Sequence, residues 1–418
     1  MKKYKLSLTT QIIIATIAGI LFGALVGEWA HNLQFIGTIF IRLIQMSVVL
    51  LVMTSVITAI GNMGTENEDE AIGLKIGIRT FGWIIFCTLL AALLGFLLAT
   101  WIRPGEGMVI EQAYSAEETV TIGFQETITN FVSTNIFASM SEGNMIQIIV
   151  FSVLFGVGLN QWTKSSKDNT LLKVLQHTNS VTLNIIQMVM KLAPIGIFAL
   201  LADVAGTIGF SVVIPMMKYL GTLFIGVVIF MVFMIFFTSA ICKLNPRLMP
   251  KKFVDMSLIA LTTTSSAIAF PTALKDSKEK FGIREDVANF TMSIGMTSGS
   301  AGAAMSYVIM ILFMQQASDV SLTWIQLVVG IFLAIMLTLG TITVPGGSAV
   351  VATFLASSLG LPVESIALII GVDWFAGMFR TFLNVNNDVL VSLLVANSVD
   401  AIDRDIYNEV KTFEPQVK

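Results

Sequence analysis

Residues 320–363 run for 44 positions without a charged side chain, about twice the length that one helical crossing of a bilayer uses. The middle of the run reads Gly340-Thr341-Ile342-Thr343-Val344-Pro345-Gly346-Gly347-Ser348. A proline followed by two glycines breaks a helix. Two half-length helices meeting at that break fit the length, and so do two ordinary spans in succession. Other uncharged runs fall at 6–27, 43–65, 80–102, 143–163, 219–242, 256–274 and 287–318. A further span, about 177–204, is split by Lys191, with Pro194 and Gly196 favouring a kink. Charged residues make up 12% of the chain and apolar ones 55%, with a mean hydropathy of +0.84. A soluble enzyme is excluded, because so few charges cannot cover a water-facing surface. The fold class expected is an all-α polytopic membrane protein.

Several chemistries drop out early. Cys87 and Cys242 lie inside apolar runs, and His31 and His177 lie in short polar connections, so no disulfide framework, zinc site or histidine catalysis is expected. A net charge of −3 with no basic stripe gives no sign of nucleic-acid binding. The start Met1-Lys2-Lys3-Tyr4-Lys5 looks like a signal-peptide head, but the apolar run after it is too long for one and reads as a retained first span.

Lysine and arginine bias sets the sidedness. Lys2, Lys3 and Lys5 place the N-terminus in the cytoplasm. Between 104 and 163 there is no basic residue while glutamates accumulate, which fits an outer connection. Lys243, Arg247, Lys251 and Lys252 precede the run 256–274, and Lys275, Lys278, Lys280 and Arg284 follow it. Both flanks belong inside, so the run is expected to be a re-entrant hairpin turning at Thr262-Thr263-Thr264-Ser265-Ser266. The 320–363 run, flanked by Asp319 and Glu364, would enter from the opposite side. Paired interrupted segments of opposite sidedness point to a secondary transporter with inverted repeats.

The last span carries Asp373, Arg380, Asn384 and Asp388. At about 100° per residue they lie within roughly 80° of one another on a helix. Ionisable residues in a bilayer are functional candidates by default, since burying each costs on the order of 2.5–3.5 kcal/mol on insertion scales. The guanidinium suits a carboxylate-bearing ligand, its nearest in-register carboxylates being two turns away. Asp388 and Asn384 offer hard oxygen donors for sodium, with a proton as the alternative. A purely structural ion pair is the competing reading.

In order, spacing and hairpin sidedness this pattern resembles the dicarboxylate/amino acid:cation symporter family over nearly the whole chain. The resemblance rests on Ser265-Ser266-Ala267-Ile268-Ala269-Phe270-Pro271, on Val344-Pro345-Gly346-Gly347, and on Asp373 through Arg380-Thr381 and Asn384 to Asp388. It implies eight spans plus two hairpins, a homotrimer and an elevator. The scaffold would be residues 1–73 and 104–214 and the transport domain 74–103 and 215–400, with a cytoplasmic tail at 401–418. The protein would be a multi-pass cell-membrane symporter with both termini inside, neither an enzyme nor dependent on a cofactor. Substrate contacts would come from Ser265, Ser266, Val344, Pro345, Gly346, Asp373, Gly377, Arg380, Thr381 and Asn384. One sodium would lie at Gly295, Asn384 and Asp388, and a second at Thr297 with Thr338, Leu339 and Thr341.

Departures from the family pattern fall on the chemistry. Gly299-Ser300-Ala301-Gly302-Ala303 stands where an Asn-Met-Asp-Gly-Thr tract is usual, and Ile84, Cys87 and Thr88 stand where a further sodium site would be completed. That further site is expected to be missing. Gly377 stands where an aspartate would hold the substrate's amino group, which favours a four-carbon dicarboxylate over an acidic amino acid. A proton-coupled amino acid transporter of the same fold is the alternative, and an anion channel the rival from another class. A channel would more naturally show a repeated pore-lining ring.

Overall fold

A computed structural model describes residues 8–61, 70–107, 129, 132–142, 144–208, 213–318, 320–338, 347–362 and 364–411. Among them the backbone is helical, and the β-pairing found is a single antiparallel bridge between Ile283 and Ile402. Buried backbone in an apolar solvent must satisfy its own hydrogen bonds, which is why long apolar runs become helices. Among the described residues five helical stretches are long and apolar enough to cross a membrane: Thr10–Phe40, Ile76–Ile102, Val213–Cys242, Glu285–Ala317 and Leu368–Asn397. A sixth is the pair Thr170–Val189 and Ala193–Gly206, bent by 56° where Lys191 and Pro194 led us to expect a kink. The chain is a multi-pass membrane protein.

In chain order the helices are α1 (Leu8–Val26), α2 (Gln34–Gly61), α3 (Glu70–Ile102), α4 (Ile136–Glu142), α5 (Met145–Ser166), α6 (Thr170–Met190), α7 (Ala193–Ile208) and α8 (Val213–Cys242). There follow α9 (Met249–Lys252), α10 (Val254–Thr263), α11 (Ser266–Glu279), α12 (Glu285–Ser298), α13 (Ala301–Ala317), α14 (Trp324–Thr338), α15 (Gly347–Leu359), α16 (Glu364–Asn397) and α17 (Arg404–Tyr407). Packing falls into two sets. Helix α2 packs on α5, α6 and α7, and α7 on α1; α3, α8 and α10 to α16 pack around α16 and α13. The sets meet where α15 touches α2 and α5 and where α16 touches α7 and α1, the Thr16 hydroxyl donating to the Gly371 carbonyl at 3.1 Å. In the first set Gly19 and Gly23, one turn apart, let α1 press onto α7. A Cβ at Gly23 would stand 2.1 Å from the Ala202 carbonyl oxygen. Small residues permit such backbone contact.

Helices α10 and α11 fold back on each other about Thr264 and Ser265. Thr264 closes α10 in the left-handed region at φ 50° and gives its N–H to the Ala260 carbonyl, while the Ser265 hydroxyl caps α11 by accepting from the Ile268 N–H at 3.4 Å. At the far end Lys280 Nζ lies 2.5 Å from Asp255 Oδ2 and 3.0 Å from Asp276 Oδ1, so the two helices run antiparallel and their ends are tied. Lys280 holds the Asp255 carboxyl below its usual range, whereas burial pushes the Asp276 carboxyl up.

The segment after α16 straps this end. Arg284 N–H donates to the Ala401 carbonyl at 2.9 Å, Asp403 N–H to that of Gly282 at 2.7 Å, and the Tyr407 hydroxyl to that of Asn245 at 2.7 Å. Lys252, in the basic flank that precedes the hairpin, has its side chain 3% exposed, with Nζ 5.2 Å above the Tyr407 ring and 3.5 Å from Glu409 Oε1. Its long stem covers apolar surface while the ammonium finds a carboxylate, and burial lowers its pKa against the pull of Glu409.

His31, in a polar connection, is 64% exposed and places Nδ1 3.0 Å from Asp203 Oδ1, joining the 3-10 turn after α1 to α7.

A candidate carboxylate and cation site

Helix α16 carries the charged stripe through the interior of the second set. Asp373, Arg380, Thr381, Asn384 and Asp388 are all buried. Side-chain bonds hold its rotation: Asn386 pairs with Ser257 of α10 at 3.0 Å, and Ser392 with Thr291 of α12 at 2.6 Å.

Arg380 is 6% exposed. Its Nη1 donates to the Ser348 hydroxyl and lies 3.6 Å from Asp373 Oδ1. Asp373 is two turns away along α16, as the spacing implies, yet the two side chains close the gap. Helical side chains lean toward the N-terminus, and a guanidinium stem is long enough to span the gap. Nε, by contrast, is buried with no hydrogen-bond partner among the described residues. Gly377 faces this group, and a Cβ there would meet Arg380 Nη2 at 3.6 Å and Thr264 Cβ at 3.7 Å, which is ordinary contact.

The two serines of the first tip divide. Ser265 is engaged in its cap, while among the described residues Ser266 Oγ is buried without a partner, as are Thr264 Oγ1 and Thr381 Oγ1. Asn384 Oδ1 accepts from the Gly302 N–H at 2.8 Å, where the break between α12 and α13 frees a backbone donor, and its Nδ2 has no partner among the described residues. A cluster of unmade bonds is costly to bury, and ligands commonly satisfy such groups. One guanidinium with hydroxyl and amide donors suits a carboxylate.

Among the described residues Asp388 Oδ1 has no hydrogen-bond partner; it lies 2.9 Å from the point that a Cβ of either Gly295 or Gly299 would occupy. The Gly295 carbonyl accepts the Gly299 N–H at 2.6 Å and keeps a second lone pair. Among the described residues no lysine or arginine lies within 4.0 Å of Asp388, and no three His, Cys, Asp or Glu side chains cluster as transition-metal ligands. A carboxylate beside a carbonyl suits a small hard cation. Ile84, Cys87 and Thr88 are buried on α3, with Cys87 against Asn387 and within electrostatic reach of Asp388.

Of the second cation set, Thr338 spends its hydroxyl on the Ile335 carbonyl at 2.7 Å. Thr297 lies in α12, its side chain undescribed, and Leu339, Thr341, Val344, Pro345 and Gly346 lie outside the described residues. The sequence reading left Thr264 and Ser348 out of its candidate residues. A signal for Ser348 was present: it is the first hydroxyl after the second break, as Ser266 is in α11 after the first.

A profile of the Sodium:dicarboxylate symporter family matches residues 8–398. The chain is 30% identical to the proton/glutamate-aspartate symporter of Bacillus subtilis (strain 168), over 92% of this chain and 93% of that protein. It is 30% identical to the proton/sodium-glutamate symport protein of the same organism, over 95% and 94%. It is 26% identical to the C4-dicarboxylate transport protein of Paracoccus denitrificans (strain Pd 1222), over 96% and 88%. The chain belongs to the sodium:dicarboxylate symporter family, and is therefore a transporter rather than an enzyme.

Proposed function

We propose that this protein is a sodium-coupled symporter of small dicarboxylates that works as an elevator. The observation that carries the substrate reading is the pairing of a buried Arg380 with Gly377: a guanidinium without an aspartate beside it at the place where an amino group would be held. Arg380 and the unpartnered donors Ser266, Thr381 and Asn384 Nδ2 would take the carboxylates, with the second tip, Val344, Pro345 and Gly346, closing over them. Asp373 would balance the guanidinium. Asp388, Asn384 and the Gly295 carbonyl would bind one sodium, and Thr297 with Thr338, Leu339 and Thr341 a second.

Two packing sets that touch along α15–α2 and α16–α7 suit relative sliding. In this reading residues 1–73 and 104–214 stay fixed, residues 74–103 and 215–400 move, both termini face the cytoplasm, and the fixed parts assemble as a homotrimer. The hairpin α10–α11 would be re-entrant from the inside and the α14–α15 pair from the outside.

A second reading is proton-coupled uptake of acidic amino acids. The Bacillus relative at 30% identity bears a name of that kind, and Gly299 and Ala301 supply neither amide nor carboxylate to a cation. Proteoliposome uptake tests both. Succinate, malate, aspartate and glutamate are offered under a sodium gradient alone and a proton gradient alone. Sodium-driven succinate uptake supports the proposal, and proton-driven glutamate uptake without succinate uptake overturns it.

A further inference from the structure

We infer that substrate carboxylate docks on the Nε–Nη2 fork of Arg380 together with the Thr264 hydroxyl, and that Ser348 is a positioning residue that commits Nη1 elsewhere. This inference rests on the proposed dicarboxylate reading.

A guanidinium is planar, and each of its forks presents two N–H groups to one carboxylate. In Arg380 the forks are not equivalent. Nη1 is claimed by the Ser348 hydroxyl on α15 and lies 3.6 Å from Asp373 Oδ1. Any fork that uses Nη1 would have to compete with both. Nε is buried and unpartnered among the described residues, and Nη2 lies 3.6 Å from the point where a Gly377 Cβ would be. Thr264 approaches the same point, with Cβ at 3.7 Å and Cγ2 at 3.8 Å, and its Oγ1 is also buried without a partner. Nη2 and the Thr264 side chain thus border the space that Gly377 leaves open, and each belongs to a group with a buried polar atom, Nε or Oγ1, that lacks a partner among the described residues.

Thr264 also holds a left-handed backbone, φ 50°, that is rare for a β-branched side chain. Strain of this kind concentrates at functional sites. A carboxylate in the opening would accept two parallel bonds from the fork and a third from Thr264, which charge assistance strengthens. A substrate ammonium there would face the positive guanidinium, so the opening favours an anion.

The test uses the full-length protein in proteoliposomes with succinate as probe. Thr264→Val keeps shape and removes the hydroxyl; it should raise the succinate KM roughly tenfold or more with maximal rate nearly unchanged, and Thr264→Ser should restore it. Ser348→Ala should likewise raise KM while sparing maximal rate, whereas a merely structural serine would lower maximal rate and leave KM alone. An unchanged KM in Thr264→Val, or equal damage from Thr264→Ser, overturns the inference.

One measurement avoids substitution in the protein observed. In detergent-solubilised wild type carrying ¹⁵N-arginine, the Arg380 Nε–H resonance, assigned by its loss in Arg380→Lys, should move on adding succinate. Succinate binding without that movement overturns the inference. No succinate uptake by the wild type would instead indict the dicarboxylate reading on which it rests.

Discussion

Asp373 Oδ1 stands 3.6 Å from Arg380 Nη1 on one face of α16, so the guanidinium draws its counter-charge from its own helix. Removing one partner of a buried pair leaves the other uncompensated, at a cost of about 3–5 kcal/mol. Arg380→Ala should therefore abolish dicarboxylate transport and also lower thermal stability in detergent. Adding Asp373→Asn should restore most of the stability and none of the transport. A single variant as stable as wild type would show that the pair contributes little to folding.

Gly377 has room for a side chain beside Arg380 Nη2 and Thr264. Gly377→Asp should place a carboxylate there, weaken succinate uptake at least tenfold and create or enhance aspartate uptake. Competition of unlabelled aspartate against labelled succinate reads the switch. Loss of succinate uptake with no gain for aspartate would contradict the role given to the missing side chain.

Hairpin sidedness is tested by cysteine labelling, and burial decides where the labels go. Lys252 is enclosed by Tyr407 and Glu409 and is unsuitable, while Lys251 and Lys275 are 78% and 66% exposed. Cysteines at these two positions, in a chain cleared of Cys87 and Cys242, should react only with impermeant reagent applied from the cytoplasmic side. Reaction of either from outside would rule out a re-entrant α10–α11.

The hairpin base should hold across a wide pH range. Lys280 keeps Asp255 ionised below the ordinary carboxylate value of 3.8, so that contribution is present above 3.8 and lost as pH falls through the lowered value. Burial opposes charge on Lys280, but hydrogen bonds to Asp255 and Asp276 outweigh it and raise the ammonium above 10.5. Its contribution is full below 10.5 and lost as pH rises through the raised value. Asp276, raised by burial, works the other way and loses its contribution as pH climbs through its own raised value. Spin-label distances between positions 251 and 275 should stay constant around neutral pH in wild type and widen only at the alkaline extreme, whereas Lys280→Met should be wide already at neutral pH and lack that alkaline step. The same alkaline step in wild type and Lys280→Met would remove the lysine from the account.

Coupling is the last expectation. Gly299, Ala301, Ile84 and Cys87 offer no side-chain oxygen to a cation, and each absent oxygen weakens a hard-cation site. At most two sodium ions per substrate are expected, and Asp388→Asn should reduce sodium dependence sharply. Reversal potentials under imposed sodium gradients give the number, and a value of three would falsify this account of the ligands.

Much of the architecture could be read along the chain because a bilayer acts locally. Uncharged length sets a span, a proline beside glycines or hydroxyls marks a break, and a 100° step places Asp373, Arg380, Asn384 and Asp388 on one helical face. These depend on neighbours in sequence. What only the tertiary structure decided concerns partners far apart in the chain: Ser348 against Arg380, Thr264 across from Gly377, Lys252 under Tyr407, Asn384 on the Gly302 N–H. Even within the first tip, two adjacent serines differ because one hydroxyl closes a helix end and the other meets no donor or acceptor. Hydrogen bonds are satisfied by geometry within about 3 Å, and helical periodicity fixes which way a side chain faces without fixing which helix lies opposite.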